Sequence, residues 1–528
     1  MTRTDAPAPP LPRKKLPIGI QTFAHIREQG YYYVDKTPFI LQLANEGKAY
    51  FLSRPRRFGK SLLLDTIANL FEGQQALFDG LYAQQHWDWS VRHPVVRISF
   101  GAGLMRSSDE LDQRIRAIVQ ENYLRLGLTL PAGLDIPGQF KHLLVQLHQQ
   151  SGQPVVVLID EYDKPILDNI TDSTLARQMR DGLRNLYSVL KDADAHLRFI
   201  LLTGVSKFSK VSLFSGLNNL RDLTLDARYS ALCGYTDDDL DTVFAPELPG
   251  LDREEIRRWY NGYNWGGTSV YNPFDALLLF DSRKFRPYWF ETGTPTFLLD
   301  LLHQRQTFTP GLTQRLTTVD LLSSFDVDRI ETDALLFQAG YLTLHQQEDA
   351  CPAQWLYTLG YPNLEVRTSL NRALLPGLGV AASQALQHVS RLVGLLRAND
   401  FAGLQALFNA FFASIPHDWY RNNPIAHYEG YWASVFYSHF AALGLDITLE
   451  DATCQGRIDM AVRFHGQVYL FEFKVIERAP AGQALAQLQA RRYADKYRAL
   501  GQPIHLIGVE FSKHTRSLAG FEVLTLAA

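Results

Sequence analysis

The sequence predicts an α/β chain of more than one domain: a three-layer domain built on a mainly parallel sheet, a mostly helical middle, and a small second α/β domain. Three observations carry that expectation. Short apolar runs alternate with helical patterns up to residue 230; the strand signal fades over 231–415; and it returns, in hairpin-like form, over 416–528. Short, wholly apolar runs are the mark of parallel strands buried on both faces. A chain of 528 residues is also too long for one ordinary core.

Taken in order, residues 1–15, "MTRTDAPAPPLPRKK", are Pro-rich and polar. They lack the apolar segment of a signal peptide and are expected to form a disordered tail. The domain over 16–230 has strand-like runs at 49–53, 94–100, 154–160 and 198–204. Helical patterns lie between them at 61–72, 108–126, 138–150 and 174–192, which makes a layered α/β sheet domain. In the middle, "DALLLFDS", "TFLLDLLHQ" and "ASQALQHVSRLVGLLRAND" read as helices. The last section reads as a helix (429–443), strands near 446–452, 457–464 and 467–475, a helix (481–499) and a strand (504–512).

Composition excludes some classes. No apolar run approaches the roughly 18–20 residues of a membrane span. The net charge of −3 offers no global attraction to nucleic acid, so any such contact rests on local basic patches. Three widely spaced cysteines, Cys233, Cys351 and Cys454, suggest neither a disulfide framework nor a zinc site, as expected in a reducing cytoplasm.

The stretch "RPRRFGKS" (54–61) follows the apolar strand "AYFLS" and opens a helix. Such a strand–loop–helix aims backbone N–H groups and a helix N-terminus at a phosphate. Its second half fits the phosphate-loop pattern G-x-x-x-x-G-K-[ST], but Arg54 stands where the first glycine belongs. Pro55 is expected to set the turn instead, with Arg54, Arg56 and Arg57 adding positive charge. Arg56, Arg57, Phe58 and Gly59 form the expected nucleotide-contacting loop; Lys60 would meet the β/γ-phosphates, and the Ser61 hydroxyl would ligate Mg²⁺. A hundred residues later "VVVLIDEYD" ends a buried strand in Asp160 and Glu161. One carboxylate there can hold the metal and the next can take a proton from water. Alone, the pair would equally suit an acidic turn; both motifs in this order favour an ATP site. Thr203, at the end of the next strand, is placed to sense the γ-phosphate or the water, or simply ends that strand.

The segments "PIGIQTFAHIREQGYYYVDKTPFILQLANEGKAYFLSRPRRFGKSLLL", "VVVLIDEYDKPI" and "LLTGVSKFSKVSLFSGLNNLRDLTLD" resemble the AAA-ATPase-like family of bacterial and archaeal proteins. That resemblance covers roughly residues 16–230 and implies a P-loop NTPase domain whose loop commonly lacks the first glycine. It also implies that the segment around Tyr33, Val34, Asp35 and Lys36 lies near the nucleotide base.

Near the C-terminus, "GRIDMAVRFHGQVYLFEFKV" (456–475) places Asp459 on one strand, a turn at His465–Gly466, and Glu472 and Lys474 on one face of the next. Two carboxylates sharing Mg²⁺ or Mn²⁺ with an ammonium beside them suit phosphodiester hydrolysis. Taken alone, a Glu–Lys pair also fits the solvated face of an edge strand. The section resembles the PD-(D/E)xK nuclease superfamily, which implies a restriction-endonuclease-like fold. By that resemblance Glu429 is a further metal ligand, and Gln487 and Tyr493 are residues of the second core helix. Ile458 stands where the superfamily's name has proline. The basic face of "ARRYADKYR" could meet a phosphate backbone or simply be solvated.

The aromatic stretch "WYNGYNWGGTSVYNPFDAL" (259–277) lacks GKS and a preceding buried strand, so it reads as structural, part of a helical lid. If the protein works as a homo-oligomer, a trans-acting arginine is needed, and the sequence does not choose it among 52 Lys and Arg residues. The combined expectation is an ATPase fused to a metal-dependent nuclease-like domain, with nucleotide state gating the cleavage of DNA or RNA. The rival is a signalling ATPase whose C-terminal domain only binds nucleic acid or protein.

Overall fold

The computed structural model describes residues 12–207, 220–293, 298–299, 301–302, 305, 309–318, 322, 325–326, 329–351, 354–378, 382–414, 429–453, 456–476, 482–512, 514–515 and 517–527. By Cα proximity the chain separates into two compact units: Met1–Gly293 with Leu316–Asn363, and Thr294–Arg315 with Leu364–Ala528. Residues of the 231–415 stretch thus fall in both.

In the first unit, β1 (Ala49–Ser53), β2 (Val95–Ser99), β3 (Val155–Asp160), β4 (Leu197–Gly204) and β5 (Arg221–Asp222) form one parallel sheet in the order β2-β3-β4-β1-β5. Tyr50, Phe51, Leu52 and Val155 to Val157 are at most 2% exposed. This double-faced burial is why these strands read as unbroken apolar runs. The two-residue β5 carries no apolar signal and was not expected; it pairs with β1 and puts the P-loop strand inside the sheet. The flanking helices Lys60–Phe71, Ser108–Arg125, Ile136–Ser151 and Ser173–Asp192 match their expected positions closely. Ser107, Asp135 and Asp172 start the last three by accepting backbone N–H groups of the first turn. Gly152, left-handed at φ 66°, stops the third.

Beyond the sheet come the helices Arg253–Tyr260, Pro273–Ser282 and Thr332–Ala339, in keeping with a mostly helical middle. That middle also contains strands the sequence reading did not find. β6 (Arg315–Thr318), β9 (Thr343–Cys351) and β10 (Gln354–Gly360) make a three-stranded sheet, and β7 (Phe325–Asp326) pairs with β8 (Arg329–Ile330). The polar run "HQQEDA" in β9 masks its strand character.

In the second unit, β11 (Asp446–Thr453), β12 (Gly456–Phe464), β13 (Gln467–Ile476), β14 (Ile504–Ser512) and β15 (Ser517–Leu526) lie in sequence order. Neighbours are antiparallel except β13–β14, which are parallel. The turn at His465–Gly466 has both residues at positive φ, 52° and 73°, as a two-residue hairpin requires. Phe471, Phe473 and Phe511 pack with the helices Phe401–Ser414 and Glu429–Ala441 on one side. Val468, Leu470, Leu488 and Tyr493 pack on the other. The helix expected over 481–499 is broken: an α-helix, Gln483–Ala490, ends at left-handed Arg492 (φ 49°), and a 3₁₀ turn, Tyr493–Leu500, follows. The break buries Tyr493 and Tyr497 while Asp451 takes the Tyr497 hydroxyl and the Lys496 ammonium.

Candidate functional site

The first candidate site lies at the C-terminal edge of the parallel sheet. Gly59, left-handed at φ 86°, turns the chain into the helix Lys60–Phe71, so the first N–H groups of that helix face the loop's concavity. A cleft of about 430 Å³ opens here, walled by Arg56 to Ser61, Glu161 and Asp163 on its polar side. Tyr33, Val34, Tyr235, Phe274 and Leu277 form its apolar wall. Of the segment expected near a base, Tyr33, Val34 and Lys36 line this cleft. Asp35 is engaged elsewhere, accepting N–H groups of Thr37 and Tyr82 at 2.8 and 2.7 Å.

Lys60 is buried, and its Nζ donates to the carbonyls of Arg54 (3.0 Å) and Pro55 (2.9 Å). Burial lowers its pKa, with the Asp160 carboxylate opposing that shift. Ser61 Oγ donates to Asp160 Oδ2 at 2.6 Å, and Thr203 Oγ1 donates to Asp160 Oδ1 at 2.8 Å. A carboxylate and two hydroxyls thus converge on one point at the sheet edge. These hard oxygen donors fit Mg²⁺, which takes one or two carboxylates together with phosphate and water oxygens. Glu161, left-handed at φ 50°, has its pKa raised, first by burial and then by Asp160. Strained backbone and perturbed carboxyl groups recur at functional sites, which makes Glu161 a candidate. Gly101 gives Glu161 room: a Cβ there would sit 3.1 Å from Glu161 Oε2.

The sequence reading missed Asp163. It is buried, and its carboxylate accepts the N–H groups of Val205 (3.0 Å) and Ser206 (2.6 Å) and the Ser206 hydroxyl (2.9 Å). It ties the acidic turn to the end of β4 beside Thr203. Its signal was the third acidic residue in "DEYD", three positions after Asp160. Residues 208–219, part of the stretch that carries the resemblance, lie outside the described residues.

Two loop expectations change. Arg54 does not line the cleft; it is fully buried, donates to the carbonyls of Thr224 and Tyr229 and packs on Trp265. The aromatic segment read as part of a lid encloses the loop itself. Phe58 meets Tyr263 and Trp265 edge-on, and Arg57 lies over Phe274 at 4.8 Å. Trp289 Nε1 donates to the Arg56 carbonyl at 3.0 Å. Arg56 and Arg57 are exposed on the cleft wall, whereas the Phe58 side chain is core, leaving only its backbone for a ligand.

The second candidate site is on the C-terminal sheet. Asp459 Oδ2 accepts the Phe473 N–H at 2.8 Å, which sets it beside the backbone between Glu472 and Lys474. Glu472 is 1% exposed. Its Oε1 accepts from Gln487 and pairs with Lys474 Nζ at 3.2 Å. A carboxylate this deeply buried is costly without such partners. Asp459, Glu472, Lys474 and Gln487 are therefore brought together. The Tyr493 ring packs in the core cluster with Val468, Leu470 and Leu488. Glu429 opens the helix Glu429–Ala441, and its side chain lies outside the described residues. Among the described residues no group of three His, Cys, Asp or Glu is arranged to hold a metal. The two described carboxylates fit a hard divalent cation that keeps several waters. No described helix is long and apolar enough to cross a membrane.

The chain matches the family "Predicted AAA-ATPase" over residues 17–214 and the "PD-(D/E)XK nuclease superfamily" over 427–520. It is 64% identical over 515 residues to an "uncharacterized protein in vnfD 5′region" of Azotobacter chroococcum mcd 1, covering 97% of this chain and 99% of that one. Among solved structures it is similar to Cdc6p of Pyrobaculum aerophilum (14% identity, TM-score 0.27, 64% of this chain and 92% of that chain). It is also similar to the Aeropyrum pernix ORC1 protein in complex with DNA (12%, TM-score 0.24, 64% and 91%).

Proposed function

The chain belongs to the AAA-ATPase-like family and ends in a PD-(D/E)XK nuclease-superfamily domain, and on that premise we propose that it couples an Mg²⁺-dependent ATPase to a metal-dependent nuclease acting on DNA or RNA. The observation that carries the first half is the convergence of Ser61, Asp160 and Thr203 next to a buried Lys60. When ATP binds, Lys60 exchanges the Arg54 and Pro55 carbonyls for phosphate oxygens. Ser61 and Asp160 would hold Mg²⁺, which would supply charge neutralisation for the phosphates. Thr203 orients the attacking water, and the Glu161 carboxylate takes its proton. Arg56, Arg57 and the backbone of Phe58 and Gly59 surround the phosphates.

In the C-terminal site Asp459 and Glu472, with Glu429 as the resemblance implies, would hold Mg²⁺ or Mn²⁺, which would supply Lewis acidity for phosphodiester hydrolysis. Lys474 positions the nucleophile, and Gln487 fixes Glu472. The test is incubation of full-length protein with single- and double-stranded DNA and RNA and Mn²⁺, beside Asp459→Ala. Cleavage by the wild type alone is expected. Equal degradation by both proteins contradicts the nuclease assignment and leaves a domain that only binds. The protein is expected to act in the cytoplasm, and its ATPase domain to assemble as a homo-oligomer.

A further inference from the structure

The position that lacks the expected glycine holds the most deeply buried charge of the loop. Arg54 is 0% exposed, and no carboxylate ion-pairs with it among the described residues. Its Nη1 donates to the carbonyls of Ser53 (2.8 Å) and Thr224 (3.0 Å), and its Nη2 donates to that of Tyr229 (3.0 Å). The guanidinium lies 4.0 Å from the centre of the Trp265 ring. Burial pulls its pKa down to about 10, the mark of a charge held at a cost. A glycine would avoid that cost, so the loop needs something the guanidinium supplies.

The main chain of the same residue shows what that is. The carbonyls of Arg54 and Pro55 are the two acceptors of Lys60 Nζ. The Arg54 N–H is itself fixed, donating to the Gly204 carbonyl at 3.1 Å at the end of β4. Side chain, N–H and carbonyl therefore point in three directions, into the segment after β5, the β4 terminus and the catalytic lysine. Resting on the ATP-site reading above, we propose that Arg54 is a positioning residue. Its fork of donors clamps the start of the phosphate loop to residues 224–229 and Trp265, and so holds Lys60 where a phosphate arrives. A planar guanidinium can reach three carbonyls and stack on an indole at once, and an ammonium cannot.

The consequence runs against the motif. Arg54→Gly restores the usual first glycine yet is expected to weaken Mg²⁺·ATP binding by at least about tenfold, as loss of charge-assisted hydrogen bonds implies. The experiment is calorimetric titration of ATP with Mg²⁺ into full-length wild type, Lys60→Ala, Arg54→Gly and Arg54→Lys, each held well below its own unfolding midpoint. Sub-denaturing guanidinium is then added, with NaCl as the ionic control. Guanidinium, but not NaCl, is expected to return affinity to Arg54→Gly, an effect that a purely fold-stabilising role would not give. Arg54→Lys keeps the stem and charge and carries the test if Arg54→Gly does not fold; it too is expected to bind more weakly. Wild-type affinity in either Arg54 variant, or a loss in Arg54→Gly that guanidinium does not reverse, overturns the clamp while leaving the ATP site standing. No ATP binding by the wild type overturns the site reading and the clamp together.

Discussion

The two candidate sites hold a carboxylate on a sheet by different means, at a strand end for Asp160 and inside the central strand for Glu472. Asp160 is held by neutral hydroxyls from Ser61 and Thr203, while Glu472 is held by the Lys474 ammonium and the Gln487 amide. Hydroxyls can turn away from a carboxylate oxygen, so under the proposed function the first site could take up and release a metal without breaking an ion pair. Glu472 is buried with a cation as partner, so its electrostatic balance is part of the fold of its unit. The lysines differ in the mirror sense. Lys60 rests on two neutral carbonyls, whereas Lys474 pairs with a buried carboxylate.

The largest effects separate the sites by chemistry. Lys60→Ala is expected to abolish ATP binding in titration calorimetry while leaving the fold intact. Glu161→Gln should bind ATP normally and lose about 10²–10⁴-fold in turnover, the usual worth of a positioned base. Unchanged turnover in Glu161→Gln would remove it from the mechanism. A middle-sized effect tests the contrast between the lysines. Lys474→Ala leaves Glu472 buried without its cation and should lower the stability of the C-terminal unit by roughly 1–3 kcal/mol in urea unfolding, a value reduced because Lys474 is partly exposed. Adding Glu472→Gln should return part of that loss. If Lys474→Ala and Lys60→Ala destabilise equally, the contrast fails.

The smallest effects are in pH. Glu161 has a raised pKa, so the acid limb of ATP turnover should lie above the ordinary glutamate range. In the C-terminal unit, burial lowers the His439 pKa from 6.5 to about 4, with the His388 charge adding to that and its bond to the Val435 carbonyl opposing it. The unfolded chain binds that proton more readily, so stability should fall as pH drops from 6.5 towards 4, by at most about 1.4 kcal/mol per pH unit. His439→Phe should flatten that slope in acid unfolding, and an unchanged slope would assign it to other groups.

What was legible followed from whether a residue's role is local. β1, β3, β4 and their helices were readable because burial on both faces and a capping residue leave their mark within a few positions. Lys60, Ser61, Asp160 and Glu161 were readable because strand ends and a helix start fix them, and Asp459, Glu472 and Lys474 because one hairpin does. The burial of Arg54 was not, since two of its acceptors, Thr224 and Tyr229, lie 170 and 175 residues later. Nor was the enclosure of Phe58 by Tyr263 and Trp265, which depends on tertiary packing alone. β5 and β9 were hidden by polar composition, and the break at Arg492 by a periodic pattern that runs across it.

Two hydrolytic centres with separable residues are proposed for one chain, and the decisive assay compares wild type, Glu161→Gln and Asp459→Ala in parallel, each for ATP turnover and for Mn²⁺-dependent nucleic-acid cleavage. ATP turnover is expected to be lost only in Glu161→Gln and the cleaving chemistry only in Asp459→Ala, with any gating seen as slower cleavage in Glu161→Gln. Cleavage that survives undiminished in Asp459→Ala, or ATP turnover that survives in Glu161→Gln, would contradict the proposal.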